Sequence, residues 1–168
     1  MRLVKVDKEW QSEHEAYFKE WGSERMVPSS FNLVAQDTYD EYLSELEIRQ
    51  HGIENWVPNS NYFLINDENR IVAMVNIRHR LNDYLHNIGG HIGYGVRPSE
   101  RRKGYATLML AKALKKCKEL ELKRVLITCD EDNIGSAKVI LNNGGIEDEP
   151  FHDKDGRVIR RFWIEIKE

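Results

Sequence analysis

With only two cysteines in 168 residues, the chain cannot build a disulfide framework. Cys117 and Cys129 belong to no C-x-x-C or metal-type spacing and read as buried thiols. Long apolar runs are missing too. Nothing approaches the ~18 consecutive residues that cross a bilayer, and Met1-Arg2-Leu3-Val4-Lys5-Val6 has no secretory h-region, so the expectation is a soluble, cytoplasmic protein with no membrane partner. Nor is there an excess of positive charge. Lys and Arg number 25 against 28 Asp and Glu, a net charge of -3, which leaves no global basic field for nucleic acid. Repeats, linkers and low-complexity segments are absent, so residues 1–168 are read as one domain, with 40% hydrophobic content sufficient for a core.

What is present is a succession of short periodic segments. Leu3, Val4 and Val6 suggest a first strand. A helix over Lys8 to Trp21 carries Trp10, His14, Tyr17, Phe18 and Trp21 on a packing side. The composition of Gly22 to Ser30 is that of a loop, and a second helix runs from Thr38 to Gln50. Its buried side is Tyr39, Tyr42, Leu43 and Leu46. Asp37, Asp40, Glu41, Glu45 and Glu47 form a solvated acidic face that would also draw cations. Tyr62 to Ile65 and Ile71 to Ile77 are antiparallel strands joined at Asn66-Asp67-Glu68-Asn69. Arg78 to Gly90 reads as a mobile polar loop suited to substrate contact.

Ile92, Tyr94 and Val96 then alternate with glycine as a strand, which Pro98 closes. From Gly104 the spacing becomes helical, with Ala106, Leu110, Ala113, Cys117 and Leu120 every three or four residues. Between strand and helix lie Arg101, Arg102 and Lys103. Free amides at a helix start, together with these three cations, make a site for a diphosphate. A dinucleotide fingerprint is excluded by Pro98 at the third glycine position, and a P-loop by the placing of Lys103 before its glycine. Downstream, Arg124 to Asp130 is an apolar run typical of a strand covered on both faces, joined to the preceding strand by a right-handed crossover. Asp132 caps a helix with Ile134, Ala137, Ile140 and Leu141 on one side, ended by Gly144-Gly145. A closing hairpin runs from Gly145 through Asp153-Lys154-Asp155-Gly156 to Ile166.

The run Arg101-Arg102-Lys103-Gly104-Tyr105-Ala106 fits the pattern R/Q-x-x-G-x-G/A, and with the flanking strand and helix it resembles the GNAT superfamily of N-acetyltransferases. The resemblance is strong over residues 61–147 and rests on overall layout in the first sixty. It implies an α/β (α+β) fold with a mixed, mostly antiparallel central sheet flanked by helices, and two parallel strands that splay apart at the cofactor cleft. Residues 1–60 would supply acceptor-side helices, 61–147 the acetyl-CoA-binding core, and 148–168 the C-terminal strand. Acetyl-CoA is the implied cosubstrate. Arg101, Arg102, Lys103, Gly104, Tyr105 and Ala106 would hold its pyrophosphate, and Val96 and Arg97 its pantetheine arm. Asn133-x-x-Ser136-x-x-x-Ile140-x-x-x-Gly144 matches a second cofactor element, which adds Asn133 and Ser136.

The implied reaction is direct acetyl transfer to a primary amine, small-molecule or peptide, in a ternary complex. Many relatives carry a tyrosine acid where this chain has Ile140, and an unperturbed thiol near ~8.5 leaves adequately without one. A lysine-type amine near ~10.4 is neutral in only about one molecule in a few thousand at pH 7, so a base or a water relay helps. His91 stands where relatives often place a glutamate. By alternation it shares a face with Gly93 and Gly95, which leave room for a ligand at the backbone. Tyr94 faces the other way, as packing. A backbone N–H near Gly95 or Val96 is the expected oxyanion donor. His79, His86 and His91 lie on different elements, and no metal is expected. The rival reading is a non-catalytic CoA-binding sensor, supported by Ile140. The acceptor's identity stays open, and a homodimer is compatible with the chain.

Overall fold

The computed structural model describes residues 1–33 and 38–167. Asp37, counted above in the acidic face of the second helix, lies outside them. Strands β1 (Arg2–Lys5), β2 (Asn59–Ile65), β3 (Ile71–Arg78) and β4 (Ile92–Val96) form one antiparallel sheet in that order. Strands β5 (Arg124–Asp130), β6 (Ile146–His152) and β7 (Val158–Glu165) form a second, ordered β5-β7-β6. The helices are α1 (Gln11–Trp21), α2 (Tyr39–His51), α3 (Tyr105–Glu119) and α4 (Ile134–Asn142). Antiparallel strands flanked by helices are the architecture foreseen, divided between two sheets. Among the described residues β4 and β5 share no strand ladder; the His91 N–H donates to the Leu126 carbonyl at 2.7 Å where the sheets meet.

One apolar cluster spans both sheets. Val75 and Ile77 of β3 and Ile92 of β4 pack with Met109, Leu110 and Ala113 of α3, Val125 and Ile127 of β5, Ile140 of α4, and Phe162 of β7. Tyr17 and Trp21 of α1 cover the opposite face of the first sheet with Phe31, Phe63, Ile65 and Met74. The period-two alternation of strand side chains sorts residues to these faces. No helix among the described residues is long and apolar enough to cross a membrane.

Local details depart from the sequence reading for identifiable reasons. Lys8–Trp10 is a 3-10 turn, capped by Asp7, that precedes α1. Phe18 is 36% exposed, off the buried stripe of His14, Tyr17 and Trp21. In α4 the cap is Asn133, not Asp132, because the Asn133 side chain accepts from the Ser136 N–H at 3.0 Å. Ile134 and Leu141 are exposed while Ala137 and Ile140 are buried. Arg78 to Gly90 carries a π-helical turn at Leu85–Gly89, begun by Asn82, whose side chain accepts from the Leu85 N–H at 2.9 Å.

Candidate active site

The turn into α3 is built from two left-handed residues, Arg102 at φ 65° and Gly104 at φ 80°. Their effect is to rotate successive peptide planes so that amides share one side. Among the described residues the N–H groups of Arg102, Lys103, Gly104, Tyr105, Ala106 and Thr107 have no partner within the protein. Six such donors at the positive end of a fifteen-residue helix make an anion cradle. The basic side chains beside it are partly engaged: Arg101 forks onto Glu24 at 2.8 and 3.4 Å and lies 5.0 Å over the Trp21 ring, and Lys103 reaches Glu100 at 2.9 Å. Arg102 is exposed. The main chain is the constant part of the cradle.

Arg97 does a different job from the one expected. Its guanidinium is 3% exposed, pairs with Glu13, and donates to Glu20 at 2.7 Å and to the Ile71 carbonyl at 3.2 Å. Its N–H donates to the Val72 carbonyl, and its own carbonyl accepts from Glu100. Neither its side chain nor its N–H is free for a pantetheine arm. Val96 is placed otherwise. Because Arg97 and Val72 are hydrogen-bonded partners, so are Gly95 with Met74 and Gly93 with Asn76, in the register of the β3–β4 ladder. The amides and carbonyls of Tyr94 and Val96 therefore point away from β3, along the edge of β4 that faces β5.

His91 is 6% exposed, and its Nδ1 accepts from the Leu126 N–H at 2.9 Å. That bond places the proton on Nε2, so the ring holds no free acceptor nitrogen. Burial, reinforced by the nearby Arg78 cation, lowers its pKa to about 4. Of the two glycines beside it, Gly95 leaves no room for a ligand, contrary to expectation, whereas Gly93 is approached only by the Arg78 side chain. A Cβ on Gly95 would lie 1.9 Å from the Val27 carbonyl oxygen, and one on Gly93 would lie 3.4 Å from the Arg78 guanidinium.

Tyr94, read from sequence as packing, crosses from β4 to α4, where its hydroxyl lies 2.7 Å from Ser136 Oγ. Burial raises its pKa to about 12, opposed by the Ser136 hydrogen bond, so it stays a protonated donor at neutral pH. Ser136 is one helical turn before Ile140, the position that lacks the tyrosine. Asn133 and Ser136 do come together, joined by the cap bond. Nothing in the spacing of Tyr94 announced this role, since it depends on how α4 packs over β4.

On the other face of the first sheet lies a cavity of about 420 Å³, between the segment after α1, the end of α2 and the π-helical turn. Two buried asparagines, Asn59 and Asn76, line it, and a third, Asn61, is bonded to both. Asn59 Nδ2 donates to the carbonyls of Arg49 and Val57, which turns its Oδ1 toward Asn76. Asn76 Nδ2 then donates to Asn59 Oδ1 at 2.8 Å and Asn61 Oδ1 at 3.0 Å. Sequence reading missed Asn76 and Arg78 because each looks like an ordinary polar residue at a strand end. The acidic residues Asp40, Glu41, Glu45 and Glu47 do not line this cavity. The described residues contain no group of three or more His, Cys, Asp or Glu arranged to hold a metal.

A family model described as the acetyltransferase (GNAT) family matches residues 7–144. No curated protein sequence gives a match. Among solved structures, the ribosomal-protein-S5-alanine acetyltransferase of Vibrio fischeri superposes with a TM-score of 0.73 at 15% identity, covering 99% of this chain and 93% of that one. An acetyltransferase of Salmonella typhimurium that modifies the N-terminal serine of ribosomal protein L7/L12 gives 0.70 at 13% identity, with 98% and 94% covered. Spermidine N-acetyltransferase from Vibrio cholerae, in complex with CoA and spermine, gives 0.63 at 16%, with 98% and 95% covered. At these identities the likeness is one of fold.

Proposed function

Since the chain belongs to the acetyltransferase (GNAT) family and is an N-acetyltransferase, we propose that it passes an acetyl group from acetyl-CoA directly to an amine held beside Asn76 and Gly93. The observation that carries this reading is the run of amides from Arg102 to Thr107 that have no partner among the described residues, set at the end of β4, whose far edge pairs with no strand among them either. Acetyl-CoA supplies an activated thioester, and the residues present suit it. The amides of Arg102 to Thr107, with the charge of Arg102, hold the pyrophosphate. Tyr94 and Val96 offer their main-chain groups to the pantetheine arm, as a strand edge accepts an extended peptide. Asn133 caps α4 and so fixes Ser136, which in turn orients the Tyr94 hydroxyl.

Val96 N–H is the donor placed to receive charge on the acetyl oxygen. The Tyr94 hydroxyl gives its proton to the departing sulfur, taking the part that Ile140 cannot. His91 pins β4 to β5 through its ring and its amide, and the amine sheds its proton to water in the cavity. The sensor reading drew its support from Ile140; against it stands the Tyr94 phenol of β4, which reaches Ser136 one turn before Ile140 on α4.

Two measurements test this. Calorimetry should show CoA binding, and Tyr94→Phe should lower kcat by roughly 10- to 100-fold while CoA affinity changes by less than about threefold. An absence of CoA binding, or of CoA release with every amine offered, sinks the proposal.

A further inference from the structure

Resting on the reading that this cavity receives the acceptor, we infer that the acceptor is a small amine carrying a carboxylate a few bonds from its nitrogen, gripped by Arg78, and not a polyamine. Among the described residues, those lining the cavity include two arginines, Arg49 and Arg78, and no aspartate, glutamate or histidine. Arg49 is half-neutralised, since it meets Glu45 at 2.8 Å and lies 5.6 Å over the Trp56 ring. Arg78 is not. Its Nη1 donates to the carbonyls of Gly89 and Gly90 at 2.8 and 3.3 Å, and no carboxylate among the described residues lies within 4.0 Å of it. Burial lowers its pKa to about 10, which leaves it fully charged at neutral pH. A partly desolvated guanidinium with no counter-ion is a demand for an anion, and its planar fork fits a carboxylate.

The neighbouring group has the opposite polarity. Both Nδ2 hydrogens of Asn76 are engaged, and the carbonyls that orient Asn59 fix that arrangement. Asn76 lines the cavity, and its Oδ1, with no donor among the described residues, is left as an acceptor for an amine N–H. Asn76 pairs with Gly93 of β4, and the Arg78 guanidinium lies against the same glycine. Gly93 to Val96 is three strand residues, about 10 Å. A carboxylate on Arg78 therefore leaves its amine a few bonds nearer the acetyl-bearing edge.

An acceptor without a carboxylate leaves the Arg78 charge uncompensated, and that charge opposes a bound ammonium, which disfavours spermidine-like acceptors on the grounds that favour carboxylated ones.

The test follows CoA release by the intact protein under saturating acetyl-CoA. The acceptors are the L-amino acids, their α-amides, dipeptides with a free carboxylate, and spermidine. At least one amino acid should exceed its own amide by tenfold or more in kcat/KM, and spermidine should be slower than that acid. Faster dipeptides would place the carboxylate on a peptide end. Arg78→Gln should raise KM for the preferred acid by roughly 10- to 100-fold and leave the amide nearly unchanged, with Arg78→Lys between them should the first variant fold poorly. Equal rates for acids and amides, or a preference for spermidine, overturn the inference. Calorimetry of the same acids and amides against the CoA complex separates the two readings. Selective binding of acids with no turnover removes catalysis but keeps the carboxylate site, whereas turnover blind to the carboxylate does the reverse.

Discussion

Two histidines are held neutral, and each has a visible cause. His14 donates from Nε2 to the Phe31 carbonyl at 2.9 Å and accepts at Nδ1 from the Tyr39 hydroxyl at 3.1 Å, and burial lowers its pKa from 6.5 to about 4. His91 is lowered to about 4 as well. Between these values the unfolded chain binds protons that the folded chain refuses, so stability must fall as pH falls. The loss begins near pH 6.5, runs at up to about 2.7 kcal/mol per pH unit for two groups, and ends near pH 4 where both forms are protonated. Urea melts between pH 7.5 and 4.5 measure it, and His91→Asn, which keeps an acceptor for the Leu126 amide, should reduce the slope, His14 and His79, whose pKa burial also lowers, supplying the rest. A flat profile contradicts the neutral, anchored histidine. From sequence, His91 was a fair base because alternation alone placed it beside two glycines. The bond that disqualifies its ring comes from Leu126, 35 residues away, and no local pattern reports it.

Strand β4 shows the same limit for an element. Its existence, its closure by Pro98 and the helix that follows were legible because alternation, proline and 3.6-residue spacing are local facts. So were the ends of α2, where Thr38-x-x-Glu41 forms the full capping box. What β4 meets was not legible. Gly95 admits the Val27 carbonyl oxygen, which would lie 1.9 Å from a Cβ, a distance no side chain tolerates, and the Trp21 ring packs close by at 3.3 Å. Gly95→Ala should therefore destabilise the fold by about 1–3 kcal/mol, since backbone and not a flexible side chain must move. Denaturant titration checks this, and a variant as stable as the parent would mean that the segment around Val27 yields freely. The cradle after β4 was legible for the complementary reason. Its donors are consecutive in sequence, whereas Asn76, Arg78 and Tyr94 acquire meaning only through strand register and the packing of α4.

At the scale of the molecule, the cradle is not a detachable loop. Glu20 of α1 accepts from Arg97 at 2.7 Å, from Ser99 Oγ at 2.8 Å and from Arg70 at 3.0 Å, so the start of β3 and the turn after β4 converge on one carboxylate of α1. Arg101 adds a tie to Glu24 just beyond α1. The main apolar cluster joins both sheets through α3, the helix that the cradle opens. Loosening the cradle therefore disturbs contacts that belong to the whole domain, and binding there should register in global unfolding. Acetyl-CoA at 100 times its Kd contributes about 2.7 kcal/mol, which for a chain of this length raises Tm by about 5–10 °C in one cooperative transition. Scanning calorimetry with and without acetyl-CoA measures the shift. A Tm that stays put at saturation, with binding confirmed separately, would show that the cradle opens independently of the sheets and that the Glu20 hub does not couple them.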